Sequence, residues 1–190
     1  MKTRLTVRDL SPALWPALEK LFGPRGACGG CWCMYWRLEK GERWDELKGA
    51  KAKLRFKKLV LAGKAHGALA FAGDEPVGWC AYDRRLDYPK LARARTLACV
   101  DADRVWSVSC FFIKPGWRDR GVATALLRHA VKSLKRRRAE IAEGYPVRLA
   151  KGQRFPNAFA WTGTRTLFES AGFTVAGTTE FSKLRMRRRP

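Results

Sequence analysis

From Lys2 to Leu10 polar and apolar residues alternate, the period of a half-buried strand. Ser11 and Pro12 then resemble an N-cap followed by a proline in the first helical position, which predicts a helix to about Phe22. Gly23 to Tyr35 is rich in glycine and cysteine and reads as a loop or short turn. Between Trp44 and about Ala62 the apolar residues Trp44, Leu47, Leu54 and Leu61 recur at helical spacing with lysines and Arg55 between them, a second helix ended by Gly63. Gly67 to Ala72 and Pro76 to Tyr82 flank Gly73-Asp74-Glu75 and predict a hairpin. A polar connection, Asp83 to Asp103, leads to a β-branched and aromatic run, Val105 to Ile113.

After that run the chain reads Lys-Pro-Gly-Trp-Arg-Asp-Arg-Gly and opens an amphipathic helix carrying Val122, Leu126, Leu127, Ala130, Val131 and Leu134, expected to reach about Arg138. A fifth strand is predicted over Glu140 to Tyr145, and a loop around Lys151 to Asn157 follows it. A helix from about Thr162 to Ala171 stops at Gly172, and strands at Phe173 to Ala176 and Thr179 to Arg187 close the chain. The strand, turn and helix around Gly121 form an anion cradle. The first N–H groups of a helix lack intrahelical partners, the dipole adds positive potential, and Gly121 with Ala123 leaves the backbone open to a phosphate.

The pattern Arg118-x-x-Gly121-x-Ala123, after a strand followed by Pro115, resembles the acetyl-CoA signature of the GNAT superfamily of acyl-CoA N-acyltransferases. Leu167 to Phe173, Leu-Phe-Glu-Ser-Ala-Gly-Phe, resembles that family's later helix-to-strand signature. The resemblance implies an α/β fold of the α+β kind, with a mixed, mostly antiparallel sheet of about seven strands flanked by helices and splayed between strands four and five. It implies a single domain over residues 1–190 and acetyl-CoA as acyl donor.

Carried onto this chain, the resemblance assigns the backbones of Phe111, Phe112 and Ile113 to the pantetheine arm. It assigns the amides of Arg118, Asp119, Arg120, Gly121, Val122, Ala123 and Thr124 to the pyrophosphate, and Asn157 to an amide of the cofactor. The family's proton-donating tyrosine is replaced by Phe168, and the strand-four face that often carries its acidic base holds Ser107 and Ser109. Ser109 would need a water relay or a carboxylate from elsewhere. Glu143 on predicted strand five is the first candidate base, with Asp101, Asp103 and Tyr145 behind it. The segment between the first two helices commonly lines the acceptor pocket in this family, so Trp32 and Tyr35 are candidate acceptor-binding residues, with Trp36 assigned to the core.

Composition narrows the classes. No apolar stretch approaches 18 residues and the first ten residues lack the apolar centre of a secretion signal, so a cytoplasmic location and no membrane span are expected. That location implies free thiols for the six cysteines. Cys28-x-x-Cys31-x-Cys33 offers at most three zinc ligands, and His66 and His129 are isolated and expected to face solvent, so no metal is expected. With 39 Lys and Arg against 17 Asp and Glu, the net charge of +22 exceeds what one coenzyme A requires and would attract nucleic acid, ribosomes or acidic partners without base specificity. Two readings stay open: an N-acetyltransferase acting on a primary amine of a small molecule or protein by direct attack in a ternary complex, and a catalytically weak binding or sensing module of the same fold associated with nucleic acid or ribosomes. Neither oligomeric state nor acyl-chain preference is legible.

Overall fold

The computed structural model describes residues 4–147, 161–177 and 183–190. Seven strands form one sheet in the order β1-β2-β3-β4-β5-β7-β6: β1 Leu5–Asp9, β2 Gly67–Ala72, β3 Glu75–Arg84, β4 Val105–Ile113, β5 Ile141–Gly144, β6 Thr174–Val175 and β7 Met186–Arg188. All neighbours are antiparallel except β4 and β5. The mixed, mostly antiparallel sheet expected from the sequence is therefore present.

Alternation along the central strands sorts the core into two layers. Ala68, Ala70, Cys80 and Tyr82 face a 15-residue helix, α5 (Val122–Arg136), whose Val122, Leu126, Leu127, Ala130 and Leu134 are buried. Leu69, Phe71, Trp79 and Ala81 face the opposite side, covered by α1 (Trp15–Phe22) and α3 (Ala50–Leu61). Each layer matches a helical apolar stripe to one face of the pleat.

The second predicted helix is two. A short α2 (Trp44–Leu47) stops at Lys48, and α3 restarts after Gly49, whose φ is +84°. The break brings two backbones together: the Gly49 N–H donates to the Gly30 carbonyl at 2.9 Å, and a Cβ on Gly30 would lie 2.8 Å from the Gly49 nitrogen. The buried stripe of α3 is Ala52, Phe56 and Val60, whereas Leu54 and Leu61 are exposed. The expected core face was thus out of phase by part of a turn. The connection between β3 and β4 is not structureless either; it contains a short α4 (Pro89–Arg93) and three single turns. The last helix, α6 (Arg165–Glu169), is shorter than expected and is capped by Thr164, whose Oγ1 accepts the Leu167 N–H at 3.2 Å.

One irregularity positions everything that follows. Pairing of β3 with β4 steps from Ala81↔Cys110 to Tyr82↔Val108, leaving Ser109 as a bulge. The parallel ladder of β4 with β5 ends at Val108↔Gly144, so β4 runs on from Ser109 to Ile113 without β5 beside it. Phe168 fills space next to this opening. Its ring is fully buried against Phe111 and Phe173, and a Cβ on Gly144 would lie 2.1 Å from it.

Candidate active site

Where β4 parts from β5, two cavities meet. The first, about 380 Å³, runs from the exposed half of β4 across the start of α5 to α6, with Phe111, Phe112, Ile113, Trp117, Arg118, Asp119, Gly121, Val122, Ala123 and Thr124 on one side and Trp161, Gly163, Thr164 and Leu167 on the other. Gly121 caps α5 at φ +76° and no side chain among the described residues caps the first turn, which leaves its N–H groups for a ligand or water. A Cβ built on Gly121 meets nothing within 4 Å. An uncapped helix start, open space beside its glycine and the Arg118 guanidinium suit the phosphates of coenzyme A. Arg120 does not line this cavity; its guanidinium lies 5.4 Å from the Trp117 ring. Its charge therefore acts from outside the wall. Asn157 lies outside the described residues.

The backbone of β4 faces two ways. The Lys114 N–H donates to Val77 of β3 and the Phe111 N–H to the Trp161 carbonyl at 2.6 Å, so by alternation Phe112 points its N–H to β3 and Ile113 points its N–H into the opening. Of the three residues expected to hold a pantetheine arm, Phe111 has its amide already engaged and Phe112 faces away.

The second cavity, about 320 Å³, shares Cys28, Phe111, Phe112 and Trp161 with the first. Its remaining walls are Phe22, Ala27, Cys31, Cys33, Tyr35, Trp36, Trp44, Ser109 and Cys110, with no charged side chain among the described residues. Tyr35 stands at the centre of an aromatic wall, its ring centroid 5.3 Å from Trp36, 5.4 Å from Trp44 and 5.5 Å from Trp161. Trp36, expected in the core, is buried and also faces this space, and among the described residues its indole nitrogen has no hydrogen-bond partner. Trp32 is not part of the wall. It packs against Trp15, Phe22 and Gly26, where a Cβ would meet its ring. Trp44 reads from the sequence as part of a helical stripe and Trp117 and Trp161 carry no periodic signal, so the fold is what brings the three to the cleft.

Glu143 requires a second correction. It is fully buried and lines neither cavity. Its Oε1 accepts from Arg85 at 2.6 Å and from Tyr145 at 2.7 Å, and its Oε2 accepts from Arg187 at 2.5 Å. Arg185 Nε lies 3.7 Å from the same Oε2, and a carboxylate enclosed by three guanidinium groups and a phenol has no lone pair aimed at a reacting amine. Asp101 is held by Arg187 in a bidentate pair, and Tyr145 bonds Ser107 at 2.5 Å. Ser109 does reach the second cavity, but its hydroxyl donates to Tyr88 at 2.9 Å. Phe168 lines neither cavity.

The two histidines also differ from expectation. His66 Nδ1 lies 2.7 Å from Asp83, which pairs with the buried Arg37, and His129 Nε2 lies 2.8 Å from Asp9. Burial would raise the Asp83 carboxyl, but His66 and Arg37 hold it below its ordinary value. Among the described residues no group of three or more His, Cys, Asp or Glu is arranged to hold a metal ion. In the same residues no helix is long and apolar enough to cross a membrane.

Comparison with solved structures shows the same fold. PaiA N-acetyltransferase from Thermoplasma acidophilum, in complex with coenzyme A, superposes with a TM-score of 0.56 at 14% identity, over 98% of this chain and 99% of that one. Salmonella typhimurium yncA with its cofactor acetyl-CoA gives 0.55 at 14% identity, covering 97% and 93%. Ribosomal-protein-S5-alanine acetyltransferase from Vibrio fischeri gives 0.55 at 10%, covering 97% and 92%. No curated protein sequence matches the chain. A sequence model of the acetyltransferase (GNAT) family matches residues 32–144, from the cysteine loop through β4 and α5 to the end of β5. The chain belongs to the acetyltransferase (GNAT) family, whose acyl donor is acetyl-CoA.

Proposed function

We propose that the protein moves the acetyl group of acetyl-CoA directly to a primary amine carried by a compact, largely apolar molecule, with donor and acceptor bound together. The observation that carries this reading is the junction of the two cavities at Cys28, Phe111, Phe112 and Trp161. An amine in the second cavity can meet a thioester at that junction, so neither partner has to leave before transfer. In this reading the first-turn amides of α5, the Thr124 hydroxyl and Arg118 hold the pyrophosphate, and the Ile113 N–H polarises the thioester carbonyl. Fixing both reactants in one cleft supplies much of the rate, because it replaces a collision by a positioned contact.

The acceptor class follows from the walls. Aromatic faces favour a flat or apolar body and tolerate a single ammonium over a ring. Polycations gain nothing from a wall without carboxylates, and a chain of net charge +22 repels them on approach. Thiol release from acetyl-CoA should therefore be measured with arylalkyl and alkyl monoamines, with polyamines, and with a peptide beginning in alanine. Turnover is expected with the first group. Turnover confined to polyamines or the peptide would overturn the acceptor class, and none with any amine would overturn acetyl transfer to amines. Arg118→Ala is expected to weaken acetyl-CoA about tenfold by calorimetry, the loss of one charge-assisted contact.

A further inference from the structure

Tyr35 and Trp36 belong to two cavities. Besides the amine cavity they line a third, of about 380 Å³, whose charged residues are Glu42, Lys90, Arg93 and Lys183. Resting on the transfer reading above, we infer that this third cavity binds an acid group of the acceptor, a carboxylate or a phosphate. The preferred acceptor is then a zwitterion, with its amine at the thioester, an apolar body along the aromatic wall and its acid among the three cations.

The one carboxylate of the third cavity is already taken. Glu42 Oε1 accepts from Arg55 at 2.6 Å and its Oε2 accepts from the Glu39 N–H at 2.8 Å. The cations have only neutral partners among the described residues. Lys90 Nζ lies 3.5 Å from the centre of the Tyr35 ring, Lys183 Nζ donates to Thr162 Oγ1 at 3.0 Å and lies 5.0 Å from the centre of the Trp161 ring, and Arg93 donates to the Leu38 carbonyl at 2.5 Å. Lys90 and Lys183 are half-buried, so each has exchanged water for a ring face or a hydroxyl and keeps donors to give. Trp36 adds a neutral donor. It is buried, its indole nitrogen can only donate, and among the described residues that nitrogen has no partner. Burial lowers the Lys183 ammonium to about 8, the direction of a cation without a counter-charge, and an anion beside it would reverse the shift.

The position of these cations ties the acid to the acceptor. Tyr35 and Trp161, with ring centroids 5.5 Å apart, both line the amine cavity, and each carries one of the lysines. The acid site therefore stands one side chain away from the space that holds the amine. Trp161 also lies where the donor and amine cavities join, so a molecule along this wall has its two ends at two different chemistries. Charge favours the same class. A chain of net charge +22 repels a free ammonium on approach, whereas an acid at the other end of the molecule cancels that repulsion and is drawn to the cations.

The test compares matched pairs on the full-length chain at fixed ionic strength: alkylamines against ω-amino acids of graded length, and phenethylamine against 4-(2-aminoethyl)benzoate. For the best-fitting length the acid should lower KM about tenfold with kcat little changed, because the contact is made equally in ground and transition states. Lys183→Met should abolish that gain. Lys132→Met, which removes the same charge from an exposed position on α5, should keep it. Inorganic phosphate should compete with the acid-bearing amine and not with its parent. An acid that gives no gain at any length, a gain that survives Lys183→Met, or a gain lost equally in Lys132→Met would each overturn the assignment. Phosphate binding that depends on Lys183, with no gain from any tethered acid, would give the cavity to a separate anion and overturn its assignment to the acceptor. If no amine is turned over, the transfer reading falls by itself; calorimetry of each pair with coenzyme A present then decides the acid site, which stands only if the acid binds more tightly than its parent and loses that margin in Lys183→Met.

Discussion

Strand β4 borders two polar centres of opposite character. At Ser107, still paired with β5, the Glu143 cluster has every strong acceptor met: Arg85 also donates to the Leu97 carbonyl at 2.5 Å and so fastens the connection before β4 to the sheet. Two residues on, at the bulge, Ser109 and Cys110 border a cavity whose walls hold thiols, a half-buried tyrosine and an indole N–H without a partner among the described residues. The first centre is closed and holds the fold. The second is open and has groups to spare. The difference teaches that a buried carboxylate is not by itself a reactive one, since what matters is whether its lone pairs are already spoken for.

The largest expected effect lies in the closed centre. Arg85→Ala leaves Glu143 short of one guanidinium in a buried site and should cost about 3–5 kcal/mol in urea unfolding. Glu143→Gln should also destabilise while leaving the acid limb of the pH–rate profile in place; a shifted limb in a stably folded protein would return Glu143 to the mechanism. Next, Phe168→Tyr sets a hydroxyl in the tight space against Gly144 and should cost about 1–3 kcal/mol without raising kcat. A gain in kcat would show that position 168 reaches the thioester after all.

The edge of the open centre, where Lys183 meets Trp161, offers the smaller effect. Burial lowers the Lys183 ammonium to about 8, although it bonds Thr162 at 3.0 Å and lies 5.0 Å from the Trp161 ring. The unfolded chain keeps that proton to higher pH, so the folding penalty is present below about 8 and is relieved as pH climbs toward the ordinary lysine value. Lys183→Met should therefore stabilise by about 1–2 kcal/mol at pH 7, with the gain shrinking toward pH 10. A gain independent of pH would mean that packing, not charge, sets the difference.

The same contrast marks what the sequence discloses. The α5 motif was legible because its periodicity, its glycine and its preceding strand are all local. Glu143 was misread because the guanidinium groups that enclose it come from Arg85 and Arg187, 58 and 44 residues away in the chain. Trp32 and Tyr35 are three residues apart and equally aromatic; Trp32 packs on Trp15, Phe22 and Gly26 while Tyr35 meets Trp44 and Trp161 at the cavity, and most of those partners are distant in the chain. The face of α3 was misread because Leu54 and Leu61 continue the phase of Trp44 and Leu47, and the break at Gly49 resets it.

That break leaves one proton in a telling place. The Gly49 N–H ends on the Gly30 carbonyl, inside the loop that carries Cys28, Cys31 and Cys33, so it exchanges with solvent only when loop and helix separate. Its exchange rate is a clock for the opening of the amine cavity, readable at a single amide some distance from any reacting atom. A molecule that seats itself among the tryptophans would slow that clock, whether or not it is ever acetylated.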